Sequence, residues 1–158
     1  MIHYLEGDAT QPRGEGFKII AHVCNDVGAW GAGFVLALSR RWKEPEMNYR
    51  YFHSQCPGGR LPLGRIQTTF VRPDLAVVSM IAMRGVGWRG GKSPLLYNAL
   101  SDCLQAIWQI VGVRDASLHT PRIGCGLAGG EWPKVEALIN RHLSDLPVYV
   151  YDLPKEVA

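Results

Sequence analysis

The alternation of apolar and polar residues along the chain predicts six β-strands. Short runs of β-branched, aromatic and aliphatic residues, each bounded by turn-forming residues, are typical of strands in a sheet. The strands are spread over the whole sequence and are separated by segments of different patterning. The predicted runs are residues 2–5, 18–23, 66–71, 75–81, 117–120 and 148–151.

Apolar residues at intervals of three and four predict helices between these strands. The clearest patterns run over residues 96–111 and 135–142. A third helix is predicted over residues 32–42 and a fourth over residues 46–53. Pro45 is suited to the first turn of the fourth helix, where its missing N–H costs nothing.

Two segments are predicted to turn rather than to continue an element. The segment 55–64, QCPGGRLPLG, is predicted to be a loop. In VRPDLA, residues 71–76, Pro73 presets a hairpin turn and Asp74 can bond locally, so part of the sheet is antiparallel. Strands and helices alternate elsewhere, which requires parallel crossovers. The predicted fold class is α/β, a three-layer α/β/α sandwich with a six-stranded mixed sheet, in a single domain over residues 1–158.

The composition is that of an ordinary soluble globule, with 47% hydrophobic and 20% charged residues. No apolar run approaches the roughly 20 residues that a membrane helix needs. The first ten residues, MIHYLEGDAT, lack the basic and apolar regions of a signal peptide. We therefore expect a soluble, cytoplasmic protein that does not contact a membrane.

The cysteines and the charge narrow the choice of ligands. The four cysteines, Cys24, Cys56, Cys103 and Cys125, lie far apart and form no C-x-x-C pair, so reduced thiols are expected. We expect no metal and no cofactor. The net charge of +3 is scattered apart from SRRWK at residues 39–43. Nucleic acid is therefore not indicated, whereas small anionic ligands stay open. A monomer is expected.

Two glycine-rich loops are the main candidates for a ligand site, because each follows a predicted strand and precedes a predicted helix. They are HVCNDVGAWGAG, residues 22–33, and RIGCGLAGG, residues 122–130. Such loops lie at the carboxyl ends of strands, where helix N-termini offer unpaired N–H groups to anions. A single Gly-x-Gly is explained equally well by a tight turn, but two such loops favour an anion clamp. Trp30 in the first loop belongs either to the core or to a wall of the cleft.

Two other segments resemble nucleotide-binding motifs, but each departs from the motif in a required feature. GVGWRGGKS, residues 85–93, ends in Gly-Lys-Ser as a P-loop does, but Val86 stands where the motif requires its first glycine. A G-x-G-x-x-G pattern covers residues 124–129, as in dinucleotide-binding domains. Too little sheet follows it, and the acidic residue about 20 positions on, Asp145, is not at the end of a strand.

Several polar side chains near these loops have both a structural and a functional interpretation. Asp8 either caps a turn or accepts a hydrogen bond from an exocyclic amine such as that of adenine. Asn25 and Asp26 are either structural or able to hold a ribose hydroxyl or orient a water molecule. His22 and His119 lie on apolar strands and are expected to be core residues, since no Cys-His-Asp arrangement is evident.

Taken together, these motifs resemble a macrodomain, the ADP-ribose-binding module. The resemblance is carried by GDAT at residues 7–10, AHVCND…WGAG at 21–33 and PRIGCGL at 121–127, and it extends over residues 2–153. The chain is similar to the terminal ADP-ribose protein glycohydrolases, although residues 46–93 match poorly. Its first part is also similar to the yeast-type ADP-ribose 1″-phosphate phosphatases.

The resemblance implies a ligand contact for each matching position. Asp8 would contact the adenine amine next to the Ala9 amide, and Leu153 would pack on the adenine ring. Residues 31–33 would wrap the distal ribose and phosphate, and the amides of residues 124–128 would bind the diphosphate. The ligand-binding residues implied in this way are Asp8, Ala9, Val23, Cys24, Asn25, Trp30, Gly31, Ala32, Gly33, Ile123, Gly124, Cys125, Gly126, Leu127, Ala128 and Leu153.

The chain departs from the glycohydrolases at both of their catalytic positions. That branch uses a lysine at the end of a central strand and an aspartate directly after Gly-Cys-Gly-Leu, where this chain has Met83, followed by Arg84, and Ala128. An arginine stays protonated and does not readily form the covalent adduct that the lysine forms with the opened ribose. The predicted catalytic residues are therefore Asn25, Asp26 and Arg84, with Asn25 or Asp26 orienting a water held by the ligand's phosphate.

The resemblance leaves three functional hypotheses. The first is a hydrolase that removes ADP-ribose from acidic side chains of modified proteins, with positioning and electrostatics supplying most of the catalysis. The second is a reader that binds ADP-ribose without turnover. The third is a phosphatase that acts on ADP-ribose 1″-phosphate. The expected partners are ADP-ribose and ADP-ribosylated proteins.

Overall fold

The computed structural model describes residues 1–111 and 115–154, and within them the chain forms one six-stranded mixed sheet. All six predicted strands are present, and each bound lies within two residues of the prediction. The strand order is β1-β6-β5-β2-β4-β3; β3 is antiparallel to β4, and the other neighbours are parallel. The strands are β1 (Ile2–Glu6), β2 (Phe17–Asn25), β3 (Ile66–Arg72), β4 (Leu75–Met83), β5 (Ala116–Thr120) and β6 (Val148–Asp152).

All four predicted helices are present. The first begins later than predicted, at Phe34, because Gly33 has a φ of 79° and is not helical. The second begins earlier, at Glu44, where an acidic first turn favours the helix N-terminus. No helix in the described ranges is long and apolar enough to span a membrane. The helices are α1 (Phe34–Arg41), α2 (Glu44–Ser54), α3 (Tyr97–Val111) and α4 (Trp132–His142).

The helices cover both faces of the sheet, which gives the predicted three layers. Successive strand residues point to opposite faces, so Ile19 of β2 packs in the core beneath α3 and α4, whereas Ile20 packs in the core beneath α1 and α2. Every residue of β4 is buried, because a central strand covered on both faces has no solvent side. The predicted bounds of the single domain, 1–158, include residues 112–114 and 155–158, which lie outside the described residues.

The two glycine-rich loops meet at one edge of the sheet. β6, β5, β2 and β4 are successive parallel neighbours, so their carboxyl ends lie side by side. The loops follow β2 and β5, which are adjacent strands. This is the edge of an α/β sheet at which ligands bind, and the two loops face each other across it.

The segment between β4 and α3 forms a small β-hairpin rather than a P-loop. Arg89 and Lys92 exchange two backbone N–H···O bonds of 3.0 Å. Gly90 and Gly91 between them have φ angles of 56° and 75°, as the two central residues of a type I′ turn require. We refer to residues 84–92 as the 84–92 hairpin. It follows the carboxyl end of β4 and therefore also lies at the ligand-binding edge.

Candidate functional site

A cleft of about 610 Å³ lies between the two glycine-rich loops, a volume typical of small-molecule sites. Gly33 and Leu127 bring the loops together, since a Cβ added to Gly33 would lie 3.2 Å from a Leu127 methyl group. The lining consists of glycines and apolar side chains with few polar groups. It comprises His22, Val23, Cys24, Asn25, Ala29, Gly31, Ala32, Gly33, Phe34, Val35, Met83, Val86, Gly87, Pro121, Arg122, Ile123, Gly124, Gly126, Leu127 and Ala128.

Most of the predicted ligand-binding residues line this cleft, and five do not. Asp8, Ala9, Trp30, Cys125 and Leu153 lie outside its lining. The residues brought together are Val23, Cys24, Asn25, Gly31, Ala32, Gly33, Ile123, Gly124, Gly126, Leu127 and Ala128.

The structure places Trp30 in the core instead of in the cleft wall. The side chain is only 4% exposed, and its Nε1 donates a 2.8 Å hydrogen bond to Ser39 Oγ on α1. Its ring lies edge-on to His22 and against Tyr49. The indole therefore supports the floor of the first loop from beneath.

Asn25 lines the cleft, but its side chain is committed to the first loop. Its Oδ1 accepts hydrogen bonds from the amides of Val27 and Ala29, both at 3.0 Å. The single proton of the Tyr49 hydroxyl is shared between this oxygen at 2.9 Å and the Asn25 backbone carbonyl at 2.7 Å. Its Nδ2 donates to the Ala29 carbonyl at 2.7 Å. The oxygen is thus saturated and cannot act as a base. The second N–H of Nδ2 is the part of this side chain suited to a ligand hydroxyl.

Asp26 lies beneath the cleft rather than in it. It is 2% exposed, and its Oδ1 accepts a 2.7 Å hydrogen bond from the buried amide of Gly85. Its Oδ2 forms an ion pair with Arg60 at 3.2 Å. The carboxylate therefore ties the end of β2 to the 84–92 hairpin. Arg84, predicted to be catalytic, is exposed and is also absent from the cleft lining.

His22 and Cys24 form a buried pair in the floor of the cleft. His22 Nε2 lies 2.8 Å from Ser79 Oγ, and Cys24 Sγ lies 3.6 Å from His22 Nδ1. Burial lowers the pKa of His22 to about 3 and raises the pKa of Cys24 to about 12. Both groups are therefore neutral at pH 7, and the pair supplies neither a thiolate nor an imidazolium. The expectation of a core histidine at residue 22 holds, and His119 is likewise fully buried.

Backbone hydrogen bonds within the second loop hold its two ends in close contact. The Gly130 amide donates to the Gly124 carbonyl at 2.7 Å, and a Cβ on Gly130 would lie 2.5 Å from that oxygen. The Cys125 amide, predicted to bind diphosphate, donates to the Arg122 carbonyl at 3.2 Å. Within the described part of the chain, no such acceptor faces the amides of Gly126 and Leu127. These two amides remain for an anion in the cleft.

Asp8 is held in the turn after β1. Its Oδ1 accepts hydrogen bonds from the Thr10 amide at 2.8 Å and the Thr10 hydroxyl at 2.7 Å. Its Oδ2 lies 3.6 Å from the guanidinium of Arg41. Partial burial opposes ionisation, but the hydrogen bonds from Thr10 and the charge of Arg41 outweigh it and lower the pKa of Asp8. Asp8 is thus a carboxylate, and Oδ2 is its less occupied oxygen.

A bidentate ion pair lies between the cleft and a second pocket at the β6 end of the edge. Arg122 lines the cleft and bonds both carboxylate oxygens of Asp152, at 2.7 and 2.9 Å. This hydrogen bonding raises the pKa of Arg122 and lowers that of Asp152. The guanidinium lies over the rings of Tyr4 and Trp132. Asp152 and the 74% exposed Leu153 line the neighbouring shallow pocket of about 440 Å³.

Several lining residues were not predicted from the sequence. Val86 and Gly87 belong to the segment rejected as a P-loop, although a glycine-rich segment directly after a strand could have indicated them. Arg122 belongs to the PRIGCGL motif but was not predicted to contact the ligand. The complete set is His22, Ala29, Phe34, Val35, Met83, Val86, Gly87, Pro121 and Arg122.

Two solved structures share 44% of their sequence with this chain. One is a protein of unknown function from Bacteroides thetaiotaomicron, with a TM-score of 0.92 and coverage of 97% of this chain and 98% of that one. The other is a macrodomain protein from Streptomyces coelicolor, with a TM-score of 0.83 and coverage of 96% and 99% respectively. The chain belongs to the macrodomain family. The resemblance to macrodomains that the sequence motifs carried is thus confirmed.

Curated relatives of this macrodomain differ in length and description. The mouse chromodomain-helicase-DNA-binding protein 1-like is 30% identical over 166 residues; the match covers 99% of this chain but only 18% of the relative. The macrodomain therefore spans less than a fifth of that protein's length. The ADP-ribose 1″-phosphate phosphatase of Meyerozyma guilliermondii is 22% identical over 174 residues, and the match covers 94% of this chain and 98% of the enzyme. No protein-family model matches the chain.

Proposed function

We propose that this macrodomain binds ADP-ribose in the cleft and hydrolyses the ester that joins ADP-ribose to acidic side chains of modified proteins. The cleft has the volume of a small-molecule site. The amides of Gly126 and Leu127 suit a diphosphate, because backbone N–H groups in such loops bind phosphate oxygens. The family and the ADP-ribose 1″-phosphate phosphatase relative also support this ligand.

The order of the strands supports one direction for the ligand. By the family resemblance, adenine lies near Asp8 and Leu153, which follow β1 and β6 at one end of the sheet edge. The diphosphate lies on the loop after β5. The distal ribose and its ester then lie at the ends of β2 and β4, near Asn25 and Met83.

The observation that carries the choice of linkage is the absence of an acid from the lining. Among the described residues that line the cleft, none is Asp, Glu or Lys, and His22 is a neutral, very weak base. A bond to an alkoxide or guanidine leaving group requires a proton donor. A carboxylate, with a pKa of about 4.3 for glutamate, leaves as a stable anion at neutral pH without one. This cleft suits an ester and does not suit the other linkages.

The proposed step is a displacement by water. A water oxygen bonds to the anomeric carbon of the distal ribose, and the bond from that carbon to the ester oxygen breaks. The electron pair leaves with the side-chain carboxylate, and the water loses a proton to the ligand's phosphate and then to solvent. The bound diphosphate stabilises the positive charge that develops on the ribose, so positioning and electrostatics carry the catalysis.

The predicted catalytic residues take different roles in this proposal. Asn25 donates its remaining N–H to a ribose hydroxyl and so acts in binding, because its oxygen is saturated. Asp26 positions the 84–92 hairpin through Gly85. The catalytic role of Arg84 stays a prediction. Its side chain is exposed at the base of that hairpin, so any contact with the reacting atoms depends on how the substrate is bound.

A turnover assay tests the proposal. A peptide bearing one ADP-ribose on glutamate is incubated with the protein with and without a chelator, and free ADP-ribose and bare peptide are quantified by mass spectrometry. Release of ADP-ribose in both samples, above the rate of a sample without protein, is the expected result. Tight binding of the peptide without release would make the protein a reader and overturn the hydrolase proposal.

A phosphatase acting on ADP-ribose 1″-phosphate is the second candidate. It is favoured by the match to the fungal enzyme, which extends over 98% of that enzyme's length. The same assay with ADP-ribose 1″-phosphate separates the two candidates, because phosphate release without release from the peptide supports the phosphatase.

A further inference from the structure

The 84–92 hairpin presents positive charge that its own fold does not neutralise. Arg89 and Lys92 exchange both backbone hydrogen bonds, so their side chains leave the same face of the ribbon. Like charges placed opposite each other on two strands are destabilising. In the described ranges, neither they nor Arg84 lies within ion-pair distance of a carboxylate. No acidic residue occurs in the sequence between Asp74 and Asp102.

The hairpin is anchored at the mouth of the cleft. Val86 and Gly87 line the cleft itself. Trp88 is 61% exposed, yet its ring packs on Gly129 of the second loop, where a Cβ would lie 2.7 Å from it. The Gly85 amide is held by Asp26 at 2.7 Å. The base of the hairpin is therefore fixed at both loops, and its cationic turn stands in solvent beside the opening.

The position of the hairpin matches the end of the ligand that would carry a protein. The hairpin follows β4, whereas the adenine end assigned above lies at β1 and β6, on the other side of β5 and β2. An ester at the distal ribose would therefore hold the modified polypeptide next to Arg89 and Lys92. Acidic side chains of the polypeptide can therefore pair with these two cations, whereas the adenine end of the ligand lies at the other end of the sheet edge.

We propose that the 84–92 hairpin binds acidic residues that flank the modified side chain, so that the macrodomain prefers ADP-ribosylated acidic segments. This inference rests on the proposed function and specifies its substrate class. Arg89 and Lys92 pair with carboxylates one to three residues from the ester, and the exposed Trp88 ring offers an apolar surface to the same segment. Arg84 contributes at the base of the hairpin.

A peptide fits these observations better than a nucleic acid. Non-specific nucleic-acid binding relies on many phosphate contacts, on the order of 6–10 in a strongly salt-dependent interaction. The hairpin offers only three cations, Arg84, Arg89 and Lys92. They lie at the mouth of the cleft, next to the proposed position of the distal ribose. Exposed ion pairs contribute little individually, so the expected preference is about fivefold to tenfold in affinity at low salt.

The experiment compares two peptides on two proteins. The peptides carry one ADP-ribose on a central glutamate and differ only in their flanks, four aspartates in one and four serines in the other. Binding is measured by calorimetry at 4 °C, over a time short relative to hydrolysis, with free ADP-ribose as a reference ligand. The test variant is Arg89→Gln/Lys92→Gln, which removes the two charges without placing negative charge near the ligand's diphosphate. The control is Arg72→Gln/Arg141→Gln, which has the same change of charge at the opposite edge of the sheet.

The expected result has three parts. The wild-type and control proteins bind the acidic peptide about fivefold to tenfold more tightly than the serine peptide at 50 mM salt, and about twofold more tightly at 300 mM salt, because salt screens exposed charges. The test variant loses this preference. All three proteins bind free ADP-ribose within about twofold of one another, which shows that the test variant is folded.

Three other outcomes overturn the inference and are distinguishable from one another. Equal affinities of the two peptides for a wild-type protein that binds free ADP-ribose overturn the inference alone and leave the proposed function intact. No binding of free ADP-ribose overturns both. A single-stranded DNA 20-mer that binds the wild type but not the test variant, while the two peptides bind equally, would replace the peptide partner with nucleic acid.

Discussion

The carboxylate of Asp26 accepts a 2.7 Å hydrogen bond from the backbone amide of Gly85. The bond joins the carboxyl end of β2 to the hairpin after β4, and the amide that it satisfies is buried. The same carboxylate faces Arg60 at 3.2 Å. One side chain below the cleft therefore determines where a wall of the cleft stands, without touching the space that a ligand would fill.

Replacing Asp26 by alanine should destabilise the protein and impair turnover more than ligand affinity. The change leaves a buried amide without an acceptor, which costs about 1–3 kcal/mol, and it releases the hairpin that forms the mouth of the cleft. Urea unfolding and the turnover assay measure the two effects. Asp74→Ala is the control, because Asp74 is exposed and its contact with Arg72 is long, at 3.7 Å. Unchanged stability of Asp26→Ala would contradict the account.

Alanine substitution should destabilise the protein at one glycine of the second loop and leave its stability unchanged at another. A Cβ on Gly130 would collide with the Gly124 carbonyl and with Leu95, whereas a Cβ on Gly126 lies more than 4 Å from every other described side chain and from the backbone beyond its two neighbours. Gly130→Ala should therefore lower the free energy of unfolding by about 1–3 kcal/mol, and Gly126→Ala should leave it unchanged within error. Thermal and urea unfolding of the pair check this. Equal losses would mean that the loop has a different conformation.

The linkage that the protein cleaves should depend on the leaving group. Because none of the described residues that line the cleft is Asp, Glu or Lys, a peptide with ADP-ribose on glutamate should be hydrolysed. The same peptide with ADP-ribose on serine should not, because a serine alkoxide needs a proton on departure. Mass spectrometry of the two peptides after equal incubation gives the ratio of rates, which is expected to exceed about 100-fold, the typical contribution of a general acid. Comparable rates would require a general acid, which the described lining residues do not supply.

Acid should weaken the fold through His22. Burial lowers the pKa of this imidazole to about 3 from its ordinary 6.5. The unfolded chain therefore binds a proton that the folded chain does not, so stability is full above pH 6.5 and falls as the pH decreases towards 3. At pH 5 the expected loss from His22 is about 2 kcal/mol. His119, with its pKa lowered to about 4 by burial and by Lys18, acts in the same direction.

The contribution of His22 can be isolated by substitution. Glutamine at this position can still bond Ser79 but does not titrate, so His22→Gln should lose about 2 kcal/mol less than the wild type between pH 7 and pH 5. Urea unfolding at the two pH values measures the difference. If both proteins lose the same stability, His22 is not buried in the neutral form.

The fold was predictable because local patterns and long-range packing agree in this chain. Strand β4 is apolar at nearly every position, and all of its residues are buried. The pattern also located the two loops that enclose the cleft. The starts of α1 and α2 each differ from the prediction by two residues. Gly33, with its positive φ, delays the start of α1, and the acidic first turn of α2 favours an earlier start.

The details of the site were less predictable, since side-chain direction in a loop is not encoded by periodicity. Trp30 stands between glycines, and only the packing of α1 and α2 decides that its ring points inward. Asp26 was predicted to orient a water, but its partner Gly85 lies 59 residues away in sequence. The sequence of the 84–92 hairpin resembles a P-loop with one position out of register, and nothing in that pattern predicts that Val86 and Gly87 line the cleft.

The most direct test of the central claim is a calorimetric titration of free ADP-ribose into the wild-type protein and into Gly126→Glu. Since Gly126 faces open space within the cleft, the variant should unfold at the wild-type temperature while its carboxylate repels the diphosphate. The account predicts a one-to-one complex of roughly micromolar Kd, about −8 kcal/mol, for the wild type and no measurable binding for the variant. A wild-type protein that gives no binding heat, or a variant that binds as tightly as the wild type, would contradict it.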